Sequence, residues 1–372
     1  MNRRIFLHLV AGAVVGSHRA ASAMGKLPCT TGWGDVKTPT FYRHDIGTAP
    51  GRFHEPSGDS EGNLWTSPLD GNLWRYHTPT GTVEILDLKS ITGFEWKGLH
   101  LWPVAHGSEV YLCCPSLPQL WVYNHSTKQV QKYDLPYANP EVYGGFSVPP
   151  FIYFYDTRRP AVIKWNPKTH TGTHYPCPYL LSGTLYMTFA DAQRDEIWGS
   201  TYTGDDLVRF DIRTCQWSGH WKSPGPKATP TPANSVFGET LYISDHLNGR
   251  LLPFNIKTGE WGPAVPIPGY REWFGYVSGG WVFRGLIYMC HSTWIGGNDS
   301  IDGKPHHFLG SWTVFDPSTK KFSRLDIPTQ EGESFMSDYA LTMRDELFLL
   351  AVNMNAPRNA VILRTSPPLG KG

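Results

Sequence analysis

The stretch Gly71-Asn-Leu-Trp-Arg-Tyr-His-Thr-Pro-Thr-Gly81 decides the fold of this 372-residue chain, because it contains the first copy of a repeated turn. In each copy an aromatic residue is followed at +1 by Asn, Asp or His and at +4 by Thr. The six copies are Tyr76-His77-Thr80, Tyr123-Asn124-Thr127, Trp165-Asn166-Thr169, Phe210-Asp211-Thr214, Phe254-Asn255-Thr258 and Phe315-Asp316-Thr319. Their threonines lie 47, 42, 45, 44 and 61 residues apart. A period of about 40–50 residues predicts a β-propeller, in which each repeat forms one blade.

Each repeat also contains an alternating run of aromatic and β-branched residues that predicts the second strand of a blade. Five examples are Asn63–Ser67, Glu109–Cys113, Glu196–Ser200, Thr240–Ser244 and Leu286–Cys290. In the turn between the third and fourth strands, Asn or Asp at +1 can accept hydrogen bonds from backbone amides two residues on. Gly at +5, as in the first and fifth copies, fits a left-handed backbone. The repeat therefore predicts structure rather than catalysis.

The blade count predicted from the repeat is seven. Six blades carry the turn, and Glu346–Leu350 with Ala360–Leu363 supply two strands of a seventh. Thr40–His44 is expected to add the outer strand of that blade, because pairing the first and last segments removes exposed sheet edges. We therefore predict an all-β, seven-bladed β-propeller closed by an N-terminal strand, formed by residues 24–372 as a single domain. Six and eight blades are the alternatives.

Residues 1–23 have the pattern of a cleaved export signal. Arg3-Arg4 precedes a modest apolar run, Leu7–Gly16, which is too short to span a bilayer, and Ala21-Ser-Ala23 suits a cleavage site. The Arg-Arg-x-Phe-Leu pattern is typical of twin-arginine export, and an ordinary secretory signal with a chance arginine pair is the alternative. We expect a periplasmic or secreted protein with no transmembrane anchor after cleavage.

Charge and cysteine content narrow the choice of partners. The net charge is +1 and no run of Lys or Arg exceeds two residues, which argues against nucleic acid as a partner. The chain has six cysteines, which permit up to three disulfides in an oxidising compartment and whose pairing the sequence leaves open. None has CxxC spacing, so a structural zinc site is not expected. Cys113-Cys114 is open to a vicinal disulfide or to pairing elsewhere.

The repeat also predicts which loops share a face of the propeller. Because strands alternate in direction, the loops that lead into first strands and those between second and third strands lie together, on what we call the first face. The repeated turns lie on the opposite side, which we call the repeat-turn face. Binding residues are expected on the first face, around the central opening, because rigid scaffolds present function on loops.

Histidines and carboxylates are frequent on the predicted first face, and this combination performs acid–base catalysis near neutral pH or binds a divalent metal ion. The predicted catalytic residues are His54, Glu55, His100, His246 and His291. The predicted substrate-binding residues are Trp102, Asp156, Arg158, Tyr202, Trp273, Trp294 and Asp338. Of these, Asp156 and Arg158 are expected to clamp an anionic group. Tyr143 and Tyr186 fall on the same face, and ordinary hydrogen bonding in loops is the alternative for every residue.

The longest threonine interval, 61 residues, adds a Gly-rich polar loop from His291 to His307 in the sixth blade. Long loops without regular structure are typically functional or disordered. We interpret this loop as a lid over the central opening, with a disordered insertion as the alternative.

The first blade resembles the repeat of streptogramin (virginiamycin B) lyases and of the overlapping gluconolactonase-like propellers. Gly62–Ser67, Gly71–Tyr76 and Thr78–Val83 carry this resemblance, although Ser67 stands where the lyase repeat usually has an acidic residue. The other blades match by period and turn. The resemblance implies a propeller that uses a divalent metal ion with His and Glu for a ring-opening elimination. No motif places those residues in this sequence.

Three functions are compatible with these features. The leading hypothesis is an exported enzyme, a lyase or hydrolase acting on a small cyclic ester, lactone or sugar-like compound with His and carboxylate or metal assistance. The alternative is a non-catalytic propeller of the cell envelope that binds a ligand or a protein. The third is a redox protein holding a quinone or copper, which the export signal and Cys113-Cys114 suggest. A small-molecule ligand is expected in the first case.

Overall fold

The structure is a computed structural model that describes residues 36–48, 53, 56–68, 70–202, 204–224, 230–231, 235–245, 248–268, 275–293, 310–326, 335–353 and 359–366. The predicted export signal lies outside these residues. The described chain forms seven antiparallel sheets, one per blade, which confirms the predicted all-β, seven-bladed propeller. Within the same residues, no helix has the length and apolar character needed to span a membrane.

The strands are numbered in chain order. β1 is Tyr42–Thr48, and blade 1 contains β2 (Ser57–Gly58), β3 (Asn63–Thr66), β4 (Asn72–His77) and β5 (Thr82–Asp87). Blade 2 contains β6 (Trp102–His106), β7 (Glu109–Cys113), β8 (Gln119–Asn124) and β9 (Gln129–Asp134). Blade 3 contains β10 (Val142–Val148), β11 (Phe151–Asp156), β12 (Ala161–Asn166) and β13 (Thr171–Pro176). Blade 4 contains β14 (Thr184–Asp191), β15 (Glu196–Tyr202), β16 (Asp206–Asp211) and β17 (Gln216–Lys222).

The remaining blades follow the same plan. Blade 5 contains β18 (Pro230–Thr231), β19 (Val236–Phe237), β20 (Thr240–Asp245), β21 (Arg250–Asn255), β22 (Glu260–Trp261) and β23 (Val265–Pro266). Blade 6 contains β24 (Gly275–Phe283), β25 (Leu286–Thr293), β26 (Gly310–Asp316) and β27 (Lys321–Asp326). Blade 7 contains β28 (Phe335–Met343), β29 (Glu346–Asn353) and β30 (Asn359–Arg364). The five predicted second strands match β3, β7, β15, β20 and β25.

Strand order within the sheets is simple. In blades 1–4 and 6 the four strands lie side by side in chain order. In blade 5 the order is β18-β20-β21-β22, with β19 also paired to β20 and β23 also paired to β21. In blade 7 the order is β28-β29-β30-β1, so the last sheet contains the first strand of the described chain.

β1 runs antiparallel to β30 along the outer edge of blade 7. The pairing extends from Tyr42 opposite Arg364 to Thr48 opposite Asn359. The sequence predicted a strand at Thr40–His44, whereas the strand begins two residues later and continues further. This pairing joins segments from the two ends of the described chain.

The hydrophobic core lies between the blades, because each sheet packs both of its faces against neighbours. Between blades 1 and 2, the rings of Trp65 and Tyr123 meet edge to face at 6.3 Å between centroids. Between blades 2 and 3, Tyr111 and Phe154 lie 5.8 Å apart. All four side chains are fully buried, and each such burial contributes about 1.5–3 kcal/mol. Aromatic contacts of this kind explain the aromatic-rich strands in the sequence.

The repeated turns have the predicted structure. Their six aromatic residues are buried between blades: Tyr76, Tyr123, Trp165, Phe210, Phe254 and Phe315. The +1 side-chain oxygens of Asn124, Asn255 and Asp316 accept hydrogen bonds from the backbone N–H groups two and three residues on. The turn is therefore stabilised by its own short-range hydrogen bonds and anchored by one buried ring.

The residue at +5 has a left-handed backbone in all six turns and not only at the glycines. The φ angles are 72° at Gly81, 62° at Lys128, 52° at His170, 54° at Cys215, 75° at Gly259 and 56° at Lys320. A left-handed backbone costs a residue with a side chain about 1–2 kcal/mol. The turn imposes this conformation on four residues that do not favour it.

The connection from blade 1 to blade 2 contains one short helix, α1 (Leu88–Thr92), which the repeat did not predict. The Asp87 carboxylate caps its start by accepting hydrogen bonds from the backbone N–H groups of Lys89 and Ser90. Gly93 ends it with a φ of 70°. The helix lies on the first face and leads the chain towards the innermost strand of blade 2.

Candidate functional site

Four ring-bearing residues come together on the first face. The first strands of neighbouring blades pack against one another around the centre of the ring, and each begins at the first face. His100 precedes β6 and Trp102 begins it, while Tyr143 and Tyr186 lie near the beginnings of β10 and β14. These four residues, which we call the aromatic wall, span blades 2, 3 and 4.

The rings of the aromatic wall contact one another in sequence. His100 stacks on Trp102 with 5.6 Å between centroids and 20° between planes. Trp102 lies 4.7 Å from Tyr143, and Tyr143 lies 5.2 Å from Tyr186. Trp102 is 9% exposed, His100 is exposed and the two tyrosines are half-buried. The wall therefore presents ring edges and faces, together with an imidazole, to the first face.

The two tyrosines add polar groups to this surface. Their hydroxyl groups are hydrogen-bonded to each other. Burial raises the pKa of Tyr143, so its phenol stays protonated near neutral pH. A neutral phenol donates a hydrogen bond to a carbonyl or ether oxygen. The wall thus combines stacking surfaces with donors suited to an oxygen-containing ring compound.

Cysteine thiols lie behind the aromatic wall. Cys113 ends the second strand of blade 2 and Cys114 follows it. Both are buried free thiols, and Cys177 and Cys215 are also free. Burial raises the pKa of Cys113 and Cys114, which keeps both protonated. The vicinal disulfide considered from the sequence is not formed. The side chains of the other two cysteines lie outside the described residues.

Asp156, expected to bind substrate, points into the protein. Its Oδ1 accepts hydrogen bonds from the backbone N–H groups of Arg158 at 2.7 Å and Arg159 at 3.2 Å, and its Oδ2 accepts one from the Tyr137 hydroxyl. The Arg158 guanidinium is instead 58% exposed and lies 3.4 Å from a Glu141 carboxylate oxygen. The structure therefore does not bring the charged groups of Asp156 and Arg158 together as a clamp.

Asp206 anchors the corresponding loop of blade 4. Its carboxylate accepts hydrogen bonds from Ser182 and Thr201, and it lies 2.7 Å from both His220 Nε2 and Lys222 Nζ. Burial alone would raise the pKa of Asp206, but hydrogen bonds from Lys222, Ser182 and His220 outweigh it and hold that pKa well below the usual range. The carboxylate is thus ionised and used for structure.

Asp245 has a similar role in blade 5. It is fully buried and accepts hydrogen bonds from Arg250 Nε at 2.7 Å and from the Asn248 amide. Buried charges are tolerated when they are paired and hydrogen-bonded in this way. The carboxylates that sequence analysis placed on the first face include several that organise loops.

The other predicted site residues lie wholly or partly outside the described part of the chain. His54, Glu55, His246, Trp273 and Trp294 lie outside the described residues, as does the greater part of the predicted lid. The backbones of Tyr202, His291 and Asp338 belong to β15, β25 and β28, but their side chains are likewise outside the description. Their predicted roles stay predictions.

Within the described chain, one group of side chains has the spacing of a metal site: Asp59, Glu61 and His125, whose ligand atoms lie within 4.8 Å of one another. The group sits on the repeat-turn face, between blades 1 and 2. Asp59, however, already accepts four hydrogen bonds, two at each oxygen, from Glu61, Asn63 and Trp65. These donors satisfy the carboxylate, so we interpret it as a hairpin anchor.

Sequence analysis missed this anchor, although a signal is present. Asp70 in the same blade accepts hydrogen bonds from the backbone and side chain of Asn72 and from Trp74 Nε1. Asp59 and Asp70 therefore each precede an Asn-Leu-Trp segment, and each accepts hydrogen bonds from the Asn side-chain amide and the Trp indole N–H of that segment. An Asp shortly before Asn-Leu-Trp predicts this network.

Comparison with known proteins agrees on the fold. No protein-family model matches the sequence, and no curated protein gives a significant match. A streptogramin B lyase structure has a TM-score of 0.61 at 11% identity, covering 87% of this chain and 97% of the other. Virginiamycin B lyase from Staphylococcus aureus has a TM-score of 0.63 at 11% identity, covering 87% of this chain and 99% of the other. YCF48 bound to D1 peptide has a TM-score of 0.65 at 9% identity, covering 90% of this chain and 97% of the other.

These similarities concern architecture. The propeller suggested by the resemblance of the first blade to streptogramin lyases is confirmed over most of the chain. At identities of 9–11% a shared fold does not transfer an activity, because unrelated functions use the same propeller. The likeness extends to a lyase and to a peptide-bound propeller alike.

Proposed function

We propose that the chain is an exported propeller enzyme of the lyase or hydrolase type, which binds a small cyclic ester, lactone or sugar-like compound against the aromatic wall. The observation that carries this proposal is the continuous contact of His100, Trp102, Tyr143 and Tyr186 across three blades. Ring faces held on a rigid scaffold bind flat or cyclic ligands by stacking and by excluding water.

His100 is the candidate general base. It is exposed at one end of the wall, and its ring orientation is supported by stacking on Trp102. An imidazole is suited to proton transfer near neutral pH. A ligand lying along the wall would place a ring proton near His100 and a carbonyl oxygen near the phenols of Tyr143 and Tyr186.

A divalent metal ion is not built into this proposal. The first-face side chains that the structure describes do not bring three metal ligands together, and the Asp59 group lies on the repeat-turn face with its carboxylate already satisfied. We therefore assign no step to a metal ion. Dialysis against a chelator, followed by activity measurement, tests whether the remaining first-face residues supply one.

The test is a panel of lactones, cyclic esters and sugar-like compounds, with binding and turnover measured separately. We expect His100→Gln to keep binding within about threefold and to lower turnover by about 100-fold or more, because general base catalysis typically contributes 10²–10⁴. Tyr186→Phe keeps the ring and should weaken binding by removing one hydroxyl group. Ile85→Ser, on the exposed outer strand of blade 1, is the matched control and should change neither quantity.

Two results would contradict different parts of the proposal. Unchanged turnover in His100→Gln would contradict the role of His100 as general base. Binding to the panel without turnover in the wild-type protein would contradict the enzyme itself and leave a ligand-binding propeller.

A protein-binding propeller is the second candidate. Leu180 is 94% exposed in the first-face connection between blades 3 and 4, and YCF48, of similar fold, is a propeller bound to a peptide. A peptide library screened against wild type and Leu180→Ser separates the two candidates. Peptides that bind wild type and lose binding in Leu180→Ser support this candidate, whereas an absence of selected peptides contradicts it.

A further inference from the structure

A lysine amine and a cysteine thiol from neighbouring blades are in contact on the repeat-turn face of the propeller. Lys164 lies in β12, the third strand of blade 3, and Cys215 lies in the repeated turn of blade 4. Lys164 Nζ donates a hydrogen bond to Cys215 Sγ at 3.3 Å. The two residues are 51 positions apart in sequence, so only the packing of blade 4 against blade 3 creates this contact.

The surroundings hold both groups in place. Lys164 Nζ lies over the Phe151 ring at 4.2 Å from its centroid and 6.0 Å from that of Tyr153, and both rings belong to blade 3. Cys215 Sγ donates to the Ile212 carbonyl oxygen at 3.4 Å, within its own turn. Cys215 has a left-handed backbone with a φ of 54°, and its side chain contacts the neighbouring blade. Amine and thiol are thus presented to each other by two rigid elements.

The thiol is accessible to a small oxidant and remote from the other described cysteines. Cys215 is half-buried, whereas Cys113 and Cys114 are buried. Cys177 is also half-buried, but it follows β13 on the first face, while Cys215 lies on the repeat-turn face. A disulfide between Cys177 and Cys215 would therefore require the blades to come apart. The Lys164 amine, 3.3 Å from Cys215 Sγ, is a nucleophile in direct contact with this thiol.

We propose that Lys164 and Cys215 form a covalent sulfur–nitrogen cross-link when the protein meets a peroxide. The Cys215 thiol first loses its proton. The thiolate sulfur attacks one peroxide oxygen, the O–O bond breaks, and the departing hydroxide takes up a proton, so that a sulfenic acid and one water are produced. The Lys164 amine then attacks the sulfur, the S–O bond breaks, and a second water leaves. The thiol loses two electrons, the peroxide is reduced to two waters, and the amine and thiol each lose one hydrogen.

This cross-link would join blade 3 to blade 4 on the repeat-turn face. It needs no rearrangement of the backbone, because the two atoms are already in contact. It also lies away from the aromatic wall, so ligand binding and cross-linking are independent properties. The site is a modification site for an oxidising compartment, which agrees with the export signal expected from the sequence.

The experiment treats the folded full-length protein with hydrogen peroxide and maps peptides by mass spectrometry. The expected product is a linked pair of peptides containing Lys164 and Cys215, lighter by about 2 Da than the two unmodified peptides together. Trypsin should fail to cleave after Lys164, and a thiol reductant should restore cleavage.

The controls use variants that keep the packing. Lys164→Arg keeps a cation over Phe151 but lacks the nucleophilic amine, so Cys215 should be oxidised without a link. Cys177→Ser should leave the link intact. Oxidation in denaturant should abolish it, because the contact depends on the fold. The proposal is overturned if folded wild type gives only sulfinic or sulfonic acid, a disulfide, or an unmodified thiol at Cys215.

Discussion

Single residues at +5 in the repeated turns show how a rigid scaffold overrides local preference. Lys128, His170, Cys215 and Lys320 all have φ between 52° and 62°, where glycine would be favoured. Hydrogen bonds such as Lys320 N–H to the Asp316 carbonyl at 2.8 Å maintain the turn. The conformation follows from the turn as a whole rather than from the residue that occupies it.

Replacement of Lys320 by glycine is expected to stabilise the protein. Glycine adopts a φ of 56° without the side-chain clash, so Lys320→Gly should raise the free energy of unfolding by about 0.5–1 kcal/mol. Lys321→Gly is the matched control, because Lys321 begins the extended strand β27 and should lose stability. Chemical denaturation measures both variants, and an equal loss in the two would contradict strain at Lys320.

Asp206 gives a pH-dependent prediction at the same scale. Its pKa in the folded state is below that of an unfolded aspartate, so its stabilising contribution is complete above about pH 5 and is lost as pH falls through the folded-state pKa. Asp206→Asn should lose about 2 kcal/mol at pH 7, and the difference from wild type should shrink below about pH 4. Asp345→Asn, at an 83% exposed side chain, should show little change at either pH. A difference that grows on acidification would contradict the pKa direction.

At the level of elements, the repeated turns of blades 2 to 4 each contact the preceding blade. The His170 ring stacks on Tyr133 of blade 2 at 4.2 Å, and Cys215 contacts Lys164 of blade 3. His125 lies 4.0 Å from Asp59 of blade 1. The turns that define the sequence repeat thus also form part of the contacts between blades.

Arg364 joins the last blade to the first. It is 3% exposed, and its guanidinium donates to the Tyr76 hydroxyl at 3.0 Å and lies 2.7 Å from Glu346. Arg364→Met should lower the free energy of unfolding by about 3 kcal/mol, because it leaves the buried Tyr76 hydroxyl and the half-buried Glu346 carboxylate without their cation.

Arg284→Met is the control, at an exposed ion pair between blades 6 and 7. Arg284 is 57% exposed and lies 3.5 Å from Asp345, so its loss should cost less than about 1 kcal/mol. Thermal or chemical unfolding compares the two variants. Equal effects would show that burial at Arg364 does not strengthen its contacts.

The whole molecule is a ring in which blade 7 takes its outer strand from the beginning of the described chain. β1 covers the edge of β30. Without it, β30 would present unpaired backbone groups, which promote association between sheets. This pairing brings together residues more than 300 positions apart in sequence, such as Asn359 and Asp45, which are separated by 314.

A chain that begins at residue 49 tests this dependence. Loss of β1 should lower the melting temperature and increase aggregation measured by light scattering, relative to a chain that begins at residue 36 and keeps β1. Identical melting and scattering for the two chains would show that β1 contributes nothing to the ring.

Sequence by itself determined the architecture, because the signals that specify a blade are short-range. The aromatic residue, the +1 acceptor and the +4 threonine act within one turn. Their spacing predicted six blades, and two further strands near the end of the sequence predicted the seventh. The same reasoning placed His100, Trp102, Tyr143 and Tyr186 on one face. It could not show that their rings touch, since this depends on the packing of three blades.

Only the tertiary structure decided the state of the polar groups. Asp156 and Asp206 carry the same side chain as an aspartate that binds a ligand. In the folded protein both are buried, and their carboxylates already accept hydrogen bonds from protein groups. The contact of Lys164 with Cys215 likewise exists only because two blades pack together. The hydrogen bonds of a turn are local, so the sequence predicts them. The burial of a carboxylate and the meeting of side chains from two blades depend on contacts between residues that are distant in sequence.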